Sequence, residues 1–188
     1  PLIYLTKVDL LEDDSLVNEV KKVYEEIGYP VIVATEDETS LKQIEATFSQ
    51  KLTVFMGQSG AGKSTLLNRI VPDLALETGE ISSALGRGKH TTRHVELLPI
   101  AGGLVADTPG FGSIDFLTVE ARELPRLFPE FVKVASQCRF RECSHINEPN
   151  CAVKEAVTEG IIAQTRYENY TQFLNEVENR KPMYRKKK

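Results

Sequence analysis

A glycine-rich loop that ends in a lysine lies near the middle of the chain and has the composition of a phosphate-binding loop. Residues 57–64 read GQSGAGKS and fit the pattern G-x-x-x-x-G-K-[ST]. Its glycines let the backbone wrap around phosphate oxygens, while the amides and the N-terminus of a following helix supply positive potential. Lys63 is expected to reach the β- and γ-phosphates, and the Ser64 hydroxyl to bind Mg²⁺. An apolar strand before the loop and an apolar helix after it favour this interpretation over a chance glycine-rich turn.

A carboxylate at the end of a second apolar strand fits the same chemistry. Asp107-Thr108-Pro109-Gly110 follows the apolar residues 104–106. The Asp107 carboxylate would hold Mg²⁺ through water, and the Gly110 amide would meet the γ-phosphate. A bare D-x-x-G is a common turn composition, but behind a strand and after a phosphate-binding loop it predicts the metal side of a nucleoside triphosphate site.

The first strand of the chain ends in a tetrapeptide suited to recognising guanine, Thr6-Lys7-Val8-Asp9. The Asp9 carboxylate would accept two hydrogen bonds from the N1 and 2-amino groups of guanine, a donor pair that adenine lacks. The aliphatic part of Lys7 would lie over the base. Together with the other two motifs this predicts a GTPase, with the base motif before the phosphate-binding loop instead of after it. Circular permutation of a domain whose ends lie close together gives this order.

A basic, threonine-containing segment at residues 86–94 separates the phosphate-binding loop from Asp107. A threonine hydroxyl of such a loop completes the Mg²⁺ shell and senses the γ-phosphate; Thr92 is the first candidate and Thr91 the second. His90 is the candidate to orient the attacking water, because Phe111 occupies the position where a glutamine often does so. The alternative is a basic loop that contacts RNA.

Three cysteines and a histidine form a second constellation, with the spacing C-x4-C-x-H-x5-C. Three thiolates and one imidazole make a full tetrahedral set for one structural Zn²⁺ and leave no cysteine for a disulfide. Within the loop, Arg139, Phe140 and Arg141 offer guanidinium groups and an aromatic ring to RNA, although Phe140 could instead pack beneath the loop. The predicted zinc ligands are Cys138, Cys143, His145 and Cys151.

Apolar periodicity predicts the elements that must position these groups. Strands alternate with helices up to residue 117, which predicts a three-layer α/β domain with a mostly parallel sheet and with residues 95–100 and 104–106 paired across Gly102-Gly103. From residue 118 onward the pattern is helical. The sequence therefore predicts a permuted GTPase domain at 1–117, and a small zinc-binding helical domain with a basic tail at 118–188.

Composition and charge narrow the class of protein further. The chain has 188 residues, 41% hydrophobic content and a net charge of −4, which is ordinary for a globular protein. It has no apolar run of the roughly 18–20 residues that a membrane helix needs, so we expect a cytoplasmic monomer without membrane contact. Residues 119–188 carry 13 Lys and Arg against 10 Asp and Glu, whereas residues 1–118 carry 10 against 17. A basic second half suits a polyanionic partner.

The order TKVD, GQSGAGKST, GKHTTRH, DTPGF and CRFRECSHINEPNCAV resembles the circularly permuted, small-ribosomal-subunit-dependent GTPases of the RsgA or YjeQ family, over essentially the whole chain. The resemblance implies a late assembly factor of the small ribosomal subunit that hydrolyses GTP when stimulated by the subunit and contacts its rRNA. It also implies one Zn²⁺, Mg²⁺ with GTP, and a switch histidine at His90. The implied GTP contacts are Thr6, Lys7, Val8, Asp9, Gly57, Gln58, Ser59, Gly60, Ala61, Gly62, Lys63, Ser64 and Thr65.

Two departures from the family pattern have consequences. Family members carry an oligonucleotide-binding β-barrel before the GTPase domain, so we expect this chain to be a fragment without it. In the loop that contacts guanine O6, where a Ser-Ala pair is common, Ala34-Thr35 precedes the acidic residues 36–38. We expect a backbone amide of Ala34 or Thr35 to serve there. The alternative function is a nucleotide-regulated RNA-binding module with negligible hydrolysis.

Overall fold

The structure is a computed structural model that describes residues 1–58, 60–72, 96–107 and 118–180. The chain divides into two compact units, Pro1–Ile114 and Asp115–Lys188. The predicted boundary between residues 117 and 118 lies close to this division but borders residues outside the described ranges, so it stays a prediction.

The first unit alternates strands with helices. A short 3-10 helix at Val8–Leu10 follows the first strand, and Gly28, in a left-handed conformation with φ 99°, follows the first α-helix. The strands and helices are β1 (Ile3–Leu5), α1 (Ser15–Glu26), β2 (Val31–Val33), α2 (Thr39–Glu45), β3 (Leu52–Val54), α3 (Lys63–Ile70), β4 (Glu96–Ile100) and β5 (Gly103–Asp107).

The strands of the described residues form two groups. β1 and β2 pair in parallel, with Tyr4 opposite Ile32. β5 lies between β3 and β4, parallel to β3 and antiparallel to β4. The α/β class is as predicted: two of the three pairings among the described strands are parallel, and the third, the expected hairpin of β4 and β5, is antiparallel. The reason for the antiparallel pairing is the turn at Ala101 and Gly102, where φ is 47° and 74°; two successive positive φ angles reverse the chain in a tight hairpin.

Gly103, the first residue of β5, lies against the turn that precedes β3. Around it, the Gln50 amide donates to the Gly102 carbonyl and the Leu104 amide to the Lys51 carbonyl, each at 2.9 Å. A Cβ atom at Gly103 would overlap the carbonyl oxygen of Phe48 and lie 2.8 Å from that of Lys51. The parallel pairing of β3 and β5 therefore begins at a backbone-to-backbone contact with no room for a side chain.

The core of the first unit lies between these strands and the helices α2 and α3. Phe48 and Leu67 are almost fully buried, and the Phe48 ring meets the Phe55 ring edge-on with centroids 5.9 Å apart. This packing holds the segments on either side of the phosphate-binding loop. The buried cluster consists of Leu41, Ile44, Phe48, Leu66, Leu67, Ile100 and Val105.

The second unit is helical, with no strand among its described residues, 118–180. A 3-10 helix at Leu124–Leu127 leads into α4 (Pro129–Ala135), α5 (Ala152–Thr158) and α6 (Gln164–Glu178). Its buried core consists of Leu124, Phe128, Phe131, Cys143, Cys151, Val153, Ala156, Ile162, Tyr170 and Leu174. In the parts of the chain that the structure describes, no helix is both long and apolar enough to cross a membrane.

Candidate nucleotide and metal sites

The phosphate-binding loop connects β3 to α3, as the motif requires. Gly60 and Gly62 take left-handed conformations with φ 78° and 91°, which L side chains rarely adopt. The Lys63 ammonium donates to the carbonyl oxygens of Gly57 and Gln58, at 2.6 and 2.8 Å. Ser64 is buried in the first turn of α3. The loop carbonyls therefore bind the loop's own lysine. When a nucleotide binds, the Lys63 ammonium would leave them for phosphate oxygens.

The base motif contacts the phosphate-binding loop although 55 residues separate them. The Thr6 hydroxyl donates to the Ala61 carbonyl at 2.7 Å. Lys7 takes a left-handed conformation with φ 57°, and Asp9 lies in the short helix that follows. A cavity of about 390 Å³ opens between the two motifs, and it is lined by Tyr4, Thr6, Lys7, Val8, Asp9, Ala34, Thr35, Glu36, Gly62, Thr65, Leu66 and Arg69. Of the predicted phosphate-binding residues, Gly62 and Thr65 border this cavity together with Asp9. The others that line a cavity, Gly57, Ala61 and Lys63, border a second one of about 790 Å³, which Thr6 also lines.

The loop after β2 also borders this cavity. The two amides expected to serve guanine O6 both have partners: Ala34 N–H donates to the Leu5 carbonyl at 2.8 Å, and Thr35 N–H to the Ser40 hydroxyl at 3.0 Å. Ser40 is fully buried and its hydroxyl also lies 3.2 Å from the Tyr4 hydroxyl. The buried role of Ser40 could not be predicted from the sequence, because a serine after an acidic run is typical of an exposed helix start.

The acidic run in that loop has a structural role. The Asp37 carboxylate accepts hydrogen bonds from the Thr35 hydroxyl at 2.6 Å, the Thr39 amide at 3.0 Å and the Thr39 hydroxyl at 2.8 Å. The Thr35 hydroxyl, followed by the Thr39 groups, lowers the pKa of Asp37. The carboxylate therefore organises the loop and the start of α2.

Several predicted site residues lie outside the described residues: Ser59, His90, Thr91, Thr92 and Gly110. The backbone of Asp107 ends β5, and its side chain lies outside the description as well. Because β3 and β5 are parallel neighbours, with Val54 opposite Ala106, the carboxyl ends of both strands meet at one edge of the sheet.

The three cysteines and His145 come together in the second unit. His145 Nδ1 lies 3.7 Å from Cys138 Sγ and 3.3 Å from Cys151 Sγ. One ligand atom from each of Cys138, Cys143, His145 and Cys151 lies within 4.8 Å of all the others. Zn–S bonds of about 2.3 Å and Zn–N bonds of about 2.0 Å give a tetrahedral S···N edge of about 3.5 Å. The donor atoms thus have the types and spacing of a tetrahedral zinc site.

The protonation states of Cys143 and His145 both bear on metal binding. Burial, together with the smaller effects of the nearby Cys151 and Cys138 thiols, raises the pKa of the Cys143 thiol to about 12. Burial lowers the pKa of His145, which favours the neutral imidazole that a metal requires. Without a metal the buried Cys143 thiol keeps its proton, so metal binding would release it.

The backbone that carries the ligands is held from two sides. The Glu148 carboxylate accepts from the amides of Ser144 at 2.6 Å and Ile146 at 3.1 Å. From α6, the Tyr167 hydroxyl donates to the His145 carbonyl at 2.7 Å, and the Tyr170 hydroxyl to that of Ser144 at 2.5 Å. Both tyrosines belong to, or pack on, the buried core, so the ligand loop is continuous with that core.

The exposed rim of the ligand loop is basic and aromatic. Phe140 is 44% exposed. The alternative that it packs beneath the loop is therefore wrong. The Arg139 guanidinium lies 5.6 Å from the centre of the Phe140 ring. Phe140 also lines an open cavity of about 530 Å³. Its charged lining is mixed and consists of Arg122, Arg126, Arg141, Glu123, Glu142 and Glu178.

Comparisons with known proteins identify the family to which this chain is similar. The family model described as RsgA GTPase matches residues 1–117. The small ribosomal subunit biogenesis GTPase RsgA of Enterococcus faecalis is 64% identical over 189 residues, covering 100% of this chain and 63% of the relative. The protein of that name from Bacillus subtilis is 50% identical over 188 residues, covering 98% and 63%.

Two solved structures are similar along nearly the whole chain. One is YloQ, described as a circularly permuted GTPase, with a TM-score of 0.77, 43% identity and coverage of 98% of this chain and 59% of that one. The other is YjeQ from Thermotoga maritima, with a TM-score of 0.75, 35% identity and coverage of 96% and 60%. The chain thus spans somewhat less than two thirds of the length of these relatives.

Proposed function

The chain belongs to the RsgA GTPase family, and from that premise we propose that its first unit binds GTP with Mg²⁺ and hydrolyses it to GDP and phosphate. The observation that carries the proposal is the contact between the base motif and the phosphate-binding loop. The 2.7 Å hydrogen bond from the Thr6 hydroxyl to the Ala61 carbonyl joins the two motifs, and Gly62 and Thr65 of the loop region share a cavity with Asp9. The Asp9 carboxylate at that cavity favours guanine over adenine, because adenine has no pair of donors to offer it.

Each remaining residue has a role in the proposed reaction. Lys63 leaves the carbonyls of Gly57 and Gln58 to hold the β- and γ-phosphates and their developing charge. The Gly110 amide meets the γ-phosphate, and His90 orients the water for in-line attack. Bound Mg²⁺ neutralises phosphate charge, and its ligands from the chain would be Ser64, Thr92 and, through water, Asp107.

The proposed metal of the second unit is one structural Zn²⁺ held by Cys138, Cys143, His145 and Cys151. The closed set of four protein ligands leaves no position for a reacting water. The ligands adjoin the hydrophobic core, so the metal would stabilise the fold together with that core. Zinc analysis of the purified chain tests this: we expect one zinc per chain, and a Cys151→Ser variant that loses it.

The proposed partner is the small ribosomal subunit, in whose late maturation the protein would act as a cytoplasmic monomer. Relatives named small ribosomal subunit biogenesis GTPase support this partner. In the second unit, the exposed Phe140 ring and the neighbouring Arg139 and Arg141 offer stacking and phosphate contacts that suit rRNA. The alternative, an RNA-binding module that uses the nucleotide as a conformational marker, has the same surface but negligible turnover.

Steady-state GTP hydrolysis, measured with and without purified small subunits and with ATP as a control, tests the proposal. We expect GTP turnover that the subunits raise, and none with ATP. His90→Ala should remove the stimulated turnover and leave GTP affinity nearly unchanged, while His94→Ala, a histidine of the same segment, serves as the matched control. Normal turnover by His90→Ala would contradict its assignment, and no GTP turnover in any condition would favour the binding module.

A further inference from the structure

The guanidinium group of Arg69 spans the loop after β2. Arg69 lies in the last turn of α3, the helix that starts at the phosphate-binding loop. Its Nη1 donates to the carbonyl oxygen of Thr35 and its Nη2 to those of Glu36 and Asp37, each at 3.3 Å. A planar guanidinium presents its donors in a fixed fork, so one side chain holds three successive carbonyls on the same side of the loop.

This contact determines where the amides of the loop point. In a planar trans peptide the C=O of one residue and the N–H of the next point in opposite directions. Since the Thr35 carbonyl faces Arg69, the Glu36 amide faces away from it. The amides of Ala34 and Thr35 already have acceptors, whereas no described residue accepts a hydrogen bond from the Glu36 amide. Glu36 also lines the cavity that contains Asp9.

We propose that Arg69 is a positioning residue for guanine specificity, which holds the Glu36 amide as the donor to the 6-oxo group of the base. The inference rests on the proposed binding of guanine nucleotides. Asp9 reads the N1 and 2-amino edge of the base, and the Glu36 amide reads the neighbouring oxygen. A 6-amino group would set donor against donor at that amide. Arg69 thus contributes to base choice through the loop that it holds, and it ties the base loop to the helix of the phosphate-binding loop.

Nucleotides with altered base edges test this role. IDP keeps the 6-oxo group and the N1 hydrogen and lacks the 2-amino group. The diphosphate of 2,6-diaminopurine riboside keeps the 2-amino group but has a 6-amino group and no N1 hydrogen, so each variant is compared with wild type for the same nucleotide. Dissociation constants for GDP and both analogues are measured by competition on the full chain, for wild type, Arg69→Ala and Arg69→Lys. Lys42→Ala is the matched control, because it also removes one exposed positive charge, whose ammonium lies 3.4 Å from the Glu38 carboxylate.

Arg69→Ala should weaken GDP and IDP by the same factor of about 5–10, the effect of one hydrogen bond, and the 6-amino analogue by less than about twofold. Arg69→Lys should lose less than Arg69→Ala, because a single ammonium can still reach a carbonyl. Lys42→Ala should match wild type.

Equal weakening of all three nucleotides in Arg69→Ala would overturn the inference, since Arg69 would then support the fold alone. Unchanged binding of GDP and IDP would overturn it as well. If the melting curve shows that Arg69→Ala does not fold, the dissociation constants of the same three nucleotides are compared for Arg69→Lys. A wild-type chain that does not prefer GDP to ADP would instead contradict the proposed function, so the two failures are distinguishable.

Discussion

The hydroxyl group of Tyr167 in α6 donates a 2.7 Å hydrogen bond to the backbone carbonyl of His145, the single histidine among the four candidate metal ligands. Tyr170, one turn further along α6, does the same for the carbonyl of Ser144. The helix therefore holds the backbone on which the ligand is mounted, although it supplies no ligand itself. Partners of this kind tune metal affinity in many proteins.

Tyr167→Phe is expected to lower zinc affinity about tenfold, because the His145 carbonyl loses its donor and the ligand loses its fixed orientation. Competition with a coloured chelator measures the affinity. Tyr29→Phe, in the other unit, removes a hydroxyl far from the ligands in sequence and should leave zinc affinity unchanged. An unaltered zinc affinity in Tyr167→Phe would show that α6 supports the loop by packing alone.

Glu148→Gln is expected to change how stability depends on pH. Burial opposes ionisation of Glu148, but hydrogen bonds donated by Ser144 and Ile146 outweigh it and lower its pKa to about 2. Because this value lies below the ordinary 4.5, the carboxylate contributes stability that is fully present above about pH 4.5 and is lost as the pH falls towards 2.

Melting temperatures of wild type and Glu148→Gln, taken in steps from pH 7 to pH 3, measure this contribution. The difference between the two proteins should be constant near neutral pH and shrink below about pH 4.5. Zinc release in acid affects both proteins, so the difference isolates the carboxylate. A difference that stays constant down to pH 3 would contradict the assignment.

Arg166→Ala is expected to destabilise the second unit by about 3 kcal/mol, because it leaves a buried carboxylate without its cation. The Arg166 Nε lies 2.7 Å from Glu130 Oε1, their side chains are only 14% and 6% exposed, and the guanidinium also lies 4.8 Å from the centre of the Phe128 ring. Thermal unfolding of Arg166→Ala, Glu130→Leu and the double variant measures the coupling. The double variant should be more stable than Arg166→Ala alone; simple addition of the two losses would mean that the pair is not coupled.

Thr6→Val is expected to weaken GDP and GTP equally, by about 3–10-fold, because it removes one hydrogen bond between the base motif and the phosphate-binding loop while keeping the shape of the side chain. Dissociation constants from titration calorimetry check this. Thr53→Val makes the same substitution in β3 and should bind as wild type does. A loss of affinity for only one of the two nucleotides would indicate that Thr6 acts on the γ-phosphate and not on the phosphate-binding loop.

The cluster of Cys138, Cys143, His145 and Cys151 could be predicted from sequence because its four residues lie within a short segment and their side chains have few other roles in that pattern. The hairpin of β4 and β5 was predictable too, from glycines between two apolar runs. Its turn lies one residue earlier than expected, at Ala101-Gly102, because an alanine takes the left-handed conformation there. Only backbone geometry reveals such a shift.

Residues that position the site were not predictable in the same way. Arg69, Tyr167 and Glu130 have partners that are 22–36 residues away in the sequence, and such contacts depend on how the elements pack. The acidic residues after Thr35 read as a departure from a family pattern. In the structure Asp37 organises that loop instead.

The contact of Gly103 with the turn before β3 bears on which natural variants of this chain could survive. Gly102 requires a left-handed conformation that asparagine also tolerates, whereas Gly103 has no room for a methyl group beside the Phe48 carbonyl. Any mutation of Gly103 would push apart the two strands that lead to the phosphate-binding loop and to Asp107. Selection for nucleotide binding would therefore act on a position at the opposite end of β5 from Asp107, and a survey of functional alleles would retain glycine at 103 more strictly than at 102.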